Sequence, residues 1–279
     1  MDKLKTVNAA AMVFGEDRTA ALADDPMEQY HESSKLHRSL VVRELPGVIV
    51  IERTPNVGAT VTRSTKRYGH LPRIALDPPA QLGEGLGDLL SRRRSRSEFS
   101  GEPIAFAGFS ALAFAAMGVT RSVPTHGGGL QTFRAAPSAG AMFPIEMYAA
   151  VRSVEGLTAG IYHYDPLEHA VELVRDAGAV EAFAGAFPLP LPVETAACTF
   201  VLASVFWRSR FKYGQRSYRF ALLEAGHIGQ NVLLAAEALG LGAVPVGGFY
   251  DATVDELLGI DGVTEGSVYT VAVGRRLRG

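Results

Sequence analysis

Several stretches of this chain carry residue types whose spacing could do chemistry. Arg92, Arg93 and Arg94, followed by Ser95, Arg96 and Ser97, gather guanidinium forks and hydroxyls just before a helical segment. That set suits a phosphate, because guanidinium matches phosphate oxygens bidentately and helix starts leave N–H groups free. A solvated basic face or a nucleic-acid contact is the plainer alternative. Further on, Arg134 precedes Pro137, Ser138, Ala139, Gly140 and Pro144, where two prolines bracket small residues, so the backbone could lie close against a flat ligand. The serine lacks the Gly-x-Ser-x-Gly frame of a nucleophile elbow, and an ordinary turn stays open.

Lys212 and Tyr213 stand among Arg208, Arg210 and Arg216. Cationic neighbours disfavour a further positive charge, so this lysine beside a tyrosine could form a base–acid pair; a solvated basic turn competes with that reading. Glu224, His227 and Asn231 fall on one helical stripe with Gln230 beside them. Polar groups on an otherwise apolar helix must find partners and mark either a buried network or a site. Glu224 and His227 have the spacing of half a di-iron carboxylate site, which would need further glutamates and a second such pair, and a satisfied core histidine is the preferred expectation. Gly247 and Gly248 close a strand candidate, where bare backbone N–H groups could bond a cofactor edge. Gly240-x-Gly242 lacks a third glycine and follows a helix, so a Rossmann domain is not supported.

The elements that must position these groups can be read from periodicity. Residues 106–117 form an Ala/Phe-rich helix stopped by Gly118, and residues 218–239 form the longest helix, stopped by Gly240. The latter is apolar around most of its circumference, which predicts burial in the core or at a subunit interface. Strands are expected at 147–151, 160–164, 170–174, 199–205, 242–249 and 267–274, with 160–174 as a hairpin and a short helix at 254–258. Residues 122–130, with Gly127, Gly128 and Gly129, read as a loop. Helices and strands mix without a βαβ repeat, so the fold class is α+β. Residues 1–80 carry weak periodicity, one strand candidate at 47–51, and a connector marked by Pro72, Pro78 and Pro79; they read as an N-terminal extension to a main domain over residues 81–279.

Composition narrows the class. With 47% hydrophobic and 20% charged residues the chain has a globular profile, and a net charge of −2 favours neither nucleic acid nor an anionic membrane as partner. The single cysteine, Cys198, rules out an intramolecular disulfide or a cysteine-cluster metal site and reads as a small hydrophobe in a strand. The apolar stretch at 9–14 is too short for a signal sequence and no segment reaches the length of a membrane span, so a cytoplasmic protein is expected.

Taken in order, Arg93-Arg94-Ser95, Pro137-Ser138-Ala139-Gly140, Lys212-Tyr213-Gly214, Glu224-Ala225-Gly226-His227 with Gln230-Asn231, and Pro245-Val246-Gly247-Gly248-Phe249 form a series. The series resembles the SagB-type branch of the nitroreductase superfamily, the thiazole/oxazole-forming peptide dehydrogenases, over residues 82–275; Tyr30 to Lys35 also resembles a segment upstream in that branch. The resemblance implies a nitroreductase-like FMN-binding fold, an antiparallel-rich central sheet flanked by helices, in an intertwined homodimer with FMN where two subunits meet. Arg93, Arg94 and Ser95 would hold the FMN phosphate, with Arg275 assisting; Ser97 stands where many nitroreductases carry a basic residue. Pro137, Ser138, Ala139 and Gly140 would line the ring, Gly247 and Gly248 would face its N5 and O4 edge, and Gln230 and Asn231 would lie nearby. Lys212 and Tyr213 coincide with the catalytic pair of the azoline dehydrogenases. The implied partners are a modified precursor peptide and a cyclodehydratase complex. Alternatives are a flavoenzyme acting on a cyclic dipeptide, an imine or a nitro compound with NAD(P)H, and a catalytically silent peptide-binding subunit.

Overall fold

The structure, a computed structural model, describes residues 25–36, 38, 47, 65–124 and 130–277. It divides into two units, residues 1–44 and 45–279. In the first, helix α1 (Pro26–Ser33) starts where Asp25 accepts the Met27 N–H at 2.8 Å and Pro26 presets the first turn.

The second unit is built on a seven-stranded sheet in the order β1-β6-β5-β4-β7-β9-β8. The strands are β1 (Arg73–Ala75), β4 (Ile145–Val151), β5 (Gly160–Asp165), β6 (Ala170–Arg175), β7 (Cys198–Val205), β8 (Leu241–Val246) and β9 (Glu265–Arg275), and every neighbouring pair is antiparallel. Strands β2 (Val119–Pro124) and β3 (Leu130–Arg134) form a separate hairpin. Helix α2 (Leu86–Arg92) precedes α3 (Phe106–Met117); α4 (Ala177–Phe183) and α5 (Leu191–Thr195) follow β6; α6 (Trp207–Tyr213) and α7 (Arg216–Ala238) join β7 to β8; α8 (Asp251–Leu258) precedes β9.

The central strands are apolar without alternation because both sheet faces are covered. Met147, Ala149, Phe200 and Leu202 pack with Phe109 and Leu112 of α3 and Ile228 and Val232 of α7. On the other face, Tyr148, Ala150, Val201 and Ala203 pack with Val180 and Phe183 of α4 and Val254 and Leu258 of α8. Helix α7 comes close to the sheet at Gly229, where a β-carbon would sit 2.8 Å from the Tyr269 ring.

Several expectations hold closely. The helix at 106–117 has the expected bounds, α7 stops at Gly240 in the left-handed region (φ 69°), and Cys198 opens β7 fully buried. Others need correction. Much of the expected loop at 122–130 is hairpin, since Ser122 to Pro124 pair with Leu130 to Thr132; the glycine triplet lies outside the described residues. The basic turn around Lys212 is a helix. Of the strand candidate at 47–51, only Gly47 is described, and it is helical. Residues 65–80, assigned to the extension, belong to the same unit as the sheet, with β1 pairing along β6.

Candidate functional site

The segment joining β3 to β4 is a tight turn with unusual backbone. Gly140 (φ 59°), Ala141 (φ 54°) and Phe143 (φ 44°) all occupy the left-handed region. For the two non-glycine residues this costs about 1–3 kcal/mol each, so the surroundings must impose it. Ser138 Oγ accepts the Phe143 N–H at 2.9 Å, and Arg208 Nη1 donates to the Phe143 carbonyl at 3.2 Å. The Arg134 guanidinium lies 4.5 Å from the centre of the Phe143 ring. From α7, the buried Glu224 carboxylate accepts from the Ser138 hydroxyl and the Ile145 N–H.

Helix α6 lays its last turn on this segment. A β-carbon on Gly140 would collide with the Tyr213 hydroxyl and come within 2.6 Å of Lys212 Nζ, so two motifs more than seventy positions apart in the chain meet at one glycine. The lysine ammonium is 5.3 Å from the Tyr213 ring centre, and Tyr213 sits edge-on to Phe220 at 5.1 Å. The arginines that crowd Lys212 in sequence have other partners: Arg208 pairs with Glu146, Arg210 stacks 4.9 Å over Trp207, and Arg216 lies 5.8 Å over Phe220. Gly47 backs α6 so closely that a β-carbon would clash with the Phe211 carbonyl and lie 2.8 Å from the Lys212 Cα.

Behind the turn lies a buried charge network that sequence reasoning missed. Glu146, fully buried in β4, meets Arg208 Nη2 at 2.5 Å and His163 Nε2 at 2.8 Å, while the Lys66 N–H donates to it at 2.8 Å. Burial alone would raise the Glu146 carboxyl, but Arg208, His163 and Arg134 outweigh it and hold the group at about 2. Glu224 goes the other way: burial pushes it up to about 7, against Ser138, Arg134, the Ile145 N–H and Arg208. Burial lowers Arg134 to about 10, opposed by Glu146 and Glu224. A glutamate inside the apolar run of β4 was the available signal, since a buried charge must be paired.

The basic stretch divides by role. Arg92 is held by Glu84 (3.0 Å) and Glu237 (3.1 Å), and Arg94 Nη1 caps the Ser91 and Arg93 carbonyls at 2.9 Å. Arg93 and Arg96 have no ion pair among the described residues. Ser95 forms a parallel bridge to Ala243 of β8, and the Arg96 N–H donates to the Ala243 carbonyl at 3.0 Å. Arg275 stands opposite Leu241, near the same end of β8, with its Nε donating to the Pro103 carbonyl at 2.6 Å. Gly247 and Gly248 lie just past the far end of β8, exposed, with nothing within 4 Å of a β-carbon at either. Ala243 and Gly247 are four positions apart, about 13 Å at the usual rise.

Gln230 is exposed and Asn231 partly so, and the atoms nearest a β-carbon on Gly140 are those of Tyr213 and Lys212. The expectation of a satisfied core histidine is overturned, because His227 lies on the exposed face of α7. Leu222 and Leu223 share that face at 41% and 54% exposure, so this helix is buried in the core on one face and not around its circumference. Among the described residues no group of three or more His, Cys, Asp or Glu could hold a metal ion, and no helix is long and apolar enough to cross a membrane.

A cavity of about 490 Å³ opens against Arg134, Pro137, Ser138 and Gly140, with Gln131 and Phe133 on its hairpin side. That is the size range of a cofactor or small-ligand pocket. Three of the four residues expected to line a flavin ring, Pro137, Ser138 and Gly140, face it, and the Arg134 guanidinium stands in the same wall. Both features fit an anionic, planar, acceptor-rich group such as FMN.

Residues 90–275 match the profile of the nitroreductase family. A putative nitroreductase of Methanocaldococcus jannaschii is 35% identical over 192 residues, covering 69% of this chain and 91% of that protein. The trifolitoxin-processing protein of Rhizobium leguminosarum bv. trifolii is 30% identical over 56% of this chain, and the microcin B17-processing protein of Escherichia coli is 33% identical over 45%. The matches span 43% and 48% of those two processing proteins, under half of each. Among solved structures, a putative nitroreductase from Anabaena variabilis superposes with a TM-score of 0.62 at 29% identity, covering 77% of this chain and 43% of that one.

Proposed function

The chain belongs to the nitroreductase family of oxidoreductases, and within that family we propose that it is an FMN-dependent dehydrogenase that oxidises peptide azolines to azoles. The observation that carries this reading is the meeting of Lys212 Nζ and the Tyr213 hydroxyl over Gly140, beside the cavity lined by Pro137 and Ser138. The likeness to two peptide-processing proteins supports a peptide substrate over a free small molecule.

In this reading Arg93, Arg94 and Ser95, with Arg275, hold the FMN phosphate; Pro137, Ser138, Ala139 and Gly140 line the ring; and Gly247 and Gly248 offer N–H groups to its edge, with Gln230 and Asn231 nearby. Bound FMN supplies an acceptor for the hydride that leaves one azoline carbon. Lys212 or Tyr213 takes the proton from the adjacent carbon, and the ring becomes aromatic by the loss of both. The two groups need only hold the ring carbon within hydrogen-bonding reach, which a helix end fixed by Arg208 and backed by Gly47 can do. The substrate is a precursor peptide already cyclised by a cyclodehydratase working alongside. The exposed apolar face formed by Trp207, Phe211, Tyr218, Leu222 and Leu223 is covered by a second subunit in a homodimer.

The test is direct. Purified protein should carry an FMN absorption spectrum and convert a defined thiazoline peptide to its thiazole. Lys212→Ala should keep the flavin and lose the conversion; loss of flavin instead would make Lys212 a cofactor contact. The kinship with a putative nitroreductase favours one second reading, reduction of a small molecule with NAD(P)H. Bleaching of the flavin by NADPH, with no turnover of thiazoline peptide, would select it.

A further inference from the structure

The turn under Lys212 and Tyr213 holds three left-handed residues within four positions, two of them non-glycine, and such a shape persists only where its neighbours enforce it. Ser138 is the internal lock, since its Oγ accepts the Phe143 N–H at 2.9 Å. A serine hydroxyl has one proton to give, and here it goes to Glu224 on α7. The same carboxylate accepts the Ile145 N–H, so it grips the turn at its start and just beyond its end. Glu224 itself is 4% exposed and reaches neither Lys212 nor Tyr213 by a hydrogen bond or ion pair among the described residues. It faces Arg134 from the hairpin and Arg208 from α6, and Arg208 holds the Phe143 carbonyl.

We propose that Glu224 is a positioning residue: by holding Ser138 and Ile145 it locks the 138–143 turn in the one shape that brings Gly140 beneath Lys212 and Tyr213. This rests on the reading of Lys212 and Tyr213 as the reacting pair. Ser138 is then occupied in holding the turn, and what it presents to a ligand is a spare lone pair, not a proton. The long helix thus reaches the turn through Glu224 and the Tyr213 ring through Phe220.

The test uses the full chain and two independent readouts. Hydrogen exchange of the Phe143 amide, the donor in the lock, should speed up by roughly tenfold or more in Glu224→Gln and in Ser138→Ala, because both release the turn to open locally. In the same variants kcat for thiazoline oxidation should fall roughly ten- to hundredfold with KM nearly unchanged, the signature of a misplaced reacting pair and not of weaker peptide binding. Lys212→Ala, by contrast, should abolish turnover while leaving Phe143 exchange at the wild-type rate. Should Glu224→Gln fail to fold, Glu224→Asp, which keeps the charge and shortens its reach to Ser138 and Ile145, should speed the same exchange. Wild-type exchange at Phe143 in Glu224→Gln would overturn the proposal whatever Ser138→Ala does, because the latter removes the acceptor of that amide itself. If the wild-type protein oxidises no thiazoline, the azoline reading fails while the exchange experiment still decides whether Glu224 locks the turn.

Discussion

Arg208 Nη2 lies 2.5 Å from Glu146 Oε1, and this pair ties the helix that ends in Lys212 and Tyr213 to the second residue of a central strand. Glu146 is fully buried and the Arg208 side chain 17% exposed, so the attraction acts largely without water.

Removing Arg208 takes away the fork that meets Glu146 and leaves only His163 and the Lys66 N–H around a fully buried carboxylate. Arg208→Ala should lower stability by about 3–5 kcal/mol, read as a shift in the urea midpoint. It should also release the Phe143 carbonyl, so turnover should fall further than the loss of folded protein explains. Arg208→Lys should recover part of the stability, since a point charge replaces a fork.

The two buried glutamates give opposite pH dependences. Glu224 is raised to about 7, so its contribution to stability is fully present below the ordinary carboxylate range and is lost as pH rises through about 7. Relative to Glu224→Gln, the wild type should therefore lose stability between about pH 5 and pH 8, by an amount on the order of 3 kcal/mol. Glu146 is lowered to about 2, so its contribution is present above the ordinary range and is lost as pH falls through about 2. Thermal melts of wild type, Glu224→Gln and Glu146→Gln across pH separate the two; parallel curves for all three would refute both assignments.

Gly140→Ala tests the contact at the centre of the site. The methyl would occupy the space of the Tyr213 hydroxyl and crowd Lys212 Nζ, on a backbone at φ 59°. The expected outcome is a folded protein with a small loss in melting temperature and a large loss in kcat. Full activity would mean that the reacting groups do not work where they meet the glycine.

Cys198 offers a check on the core. It is 1% exposed at the start of β7, and burial pushes its thiol well above the ordinary range. The native protein should react negligibly with a thiol reagent at pH 8 and release one equivalent on unfolding. Rapid labelling of folded protein would show that β7 is not central.

Much of the architecture was legible because it is written in local pattern. The helix at 106–117 and the stop at Gly240 follow from apolar spacing and a glycine placed where only a left-handed residue fits. The motifs containing Gly140 and Lys212 stand out separately in the sequence, and the fold brings them together. What escaped was long-range or one-sided. Glu224 reads as a polar residue in need of a partner, yet nothing near it names Ser138, which a different element delivers. Glu146 sits between Ile145 and Met147 in an apolar strand, and its partners Arg208 and His163 come from α6 and β5. The exposure of His227 escapes the sequence because an apolar helix leaves open which of its faces meets the core and which is left outside. Strand β1, three residues long, has too little sequence to show a period.

The sheet order also dictates when the molecule can assemble. Strand β9 lies between β7 and β8, both of which leave the ribosome earlier. Until residues 265–275 are made, β8 has no neighbour in the sheet and β7 has an open edge, each an apolar strand able to pair with another chain. Nascent chains arrested before residue 265 should therefore depend on chaperones and aggregate when released, whereas β9, once made, closes that gap in a single insertion.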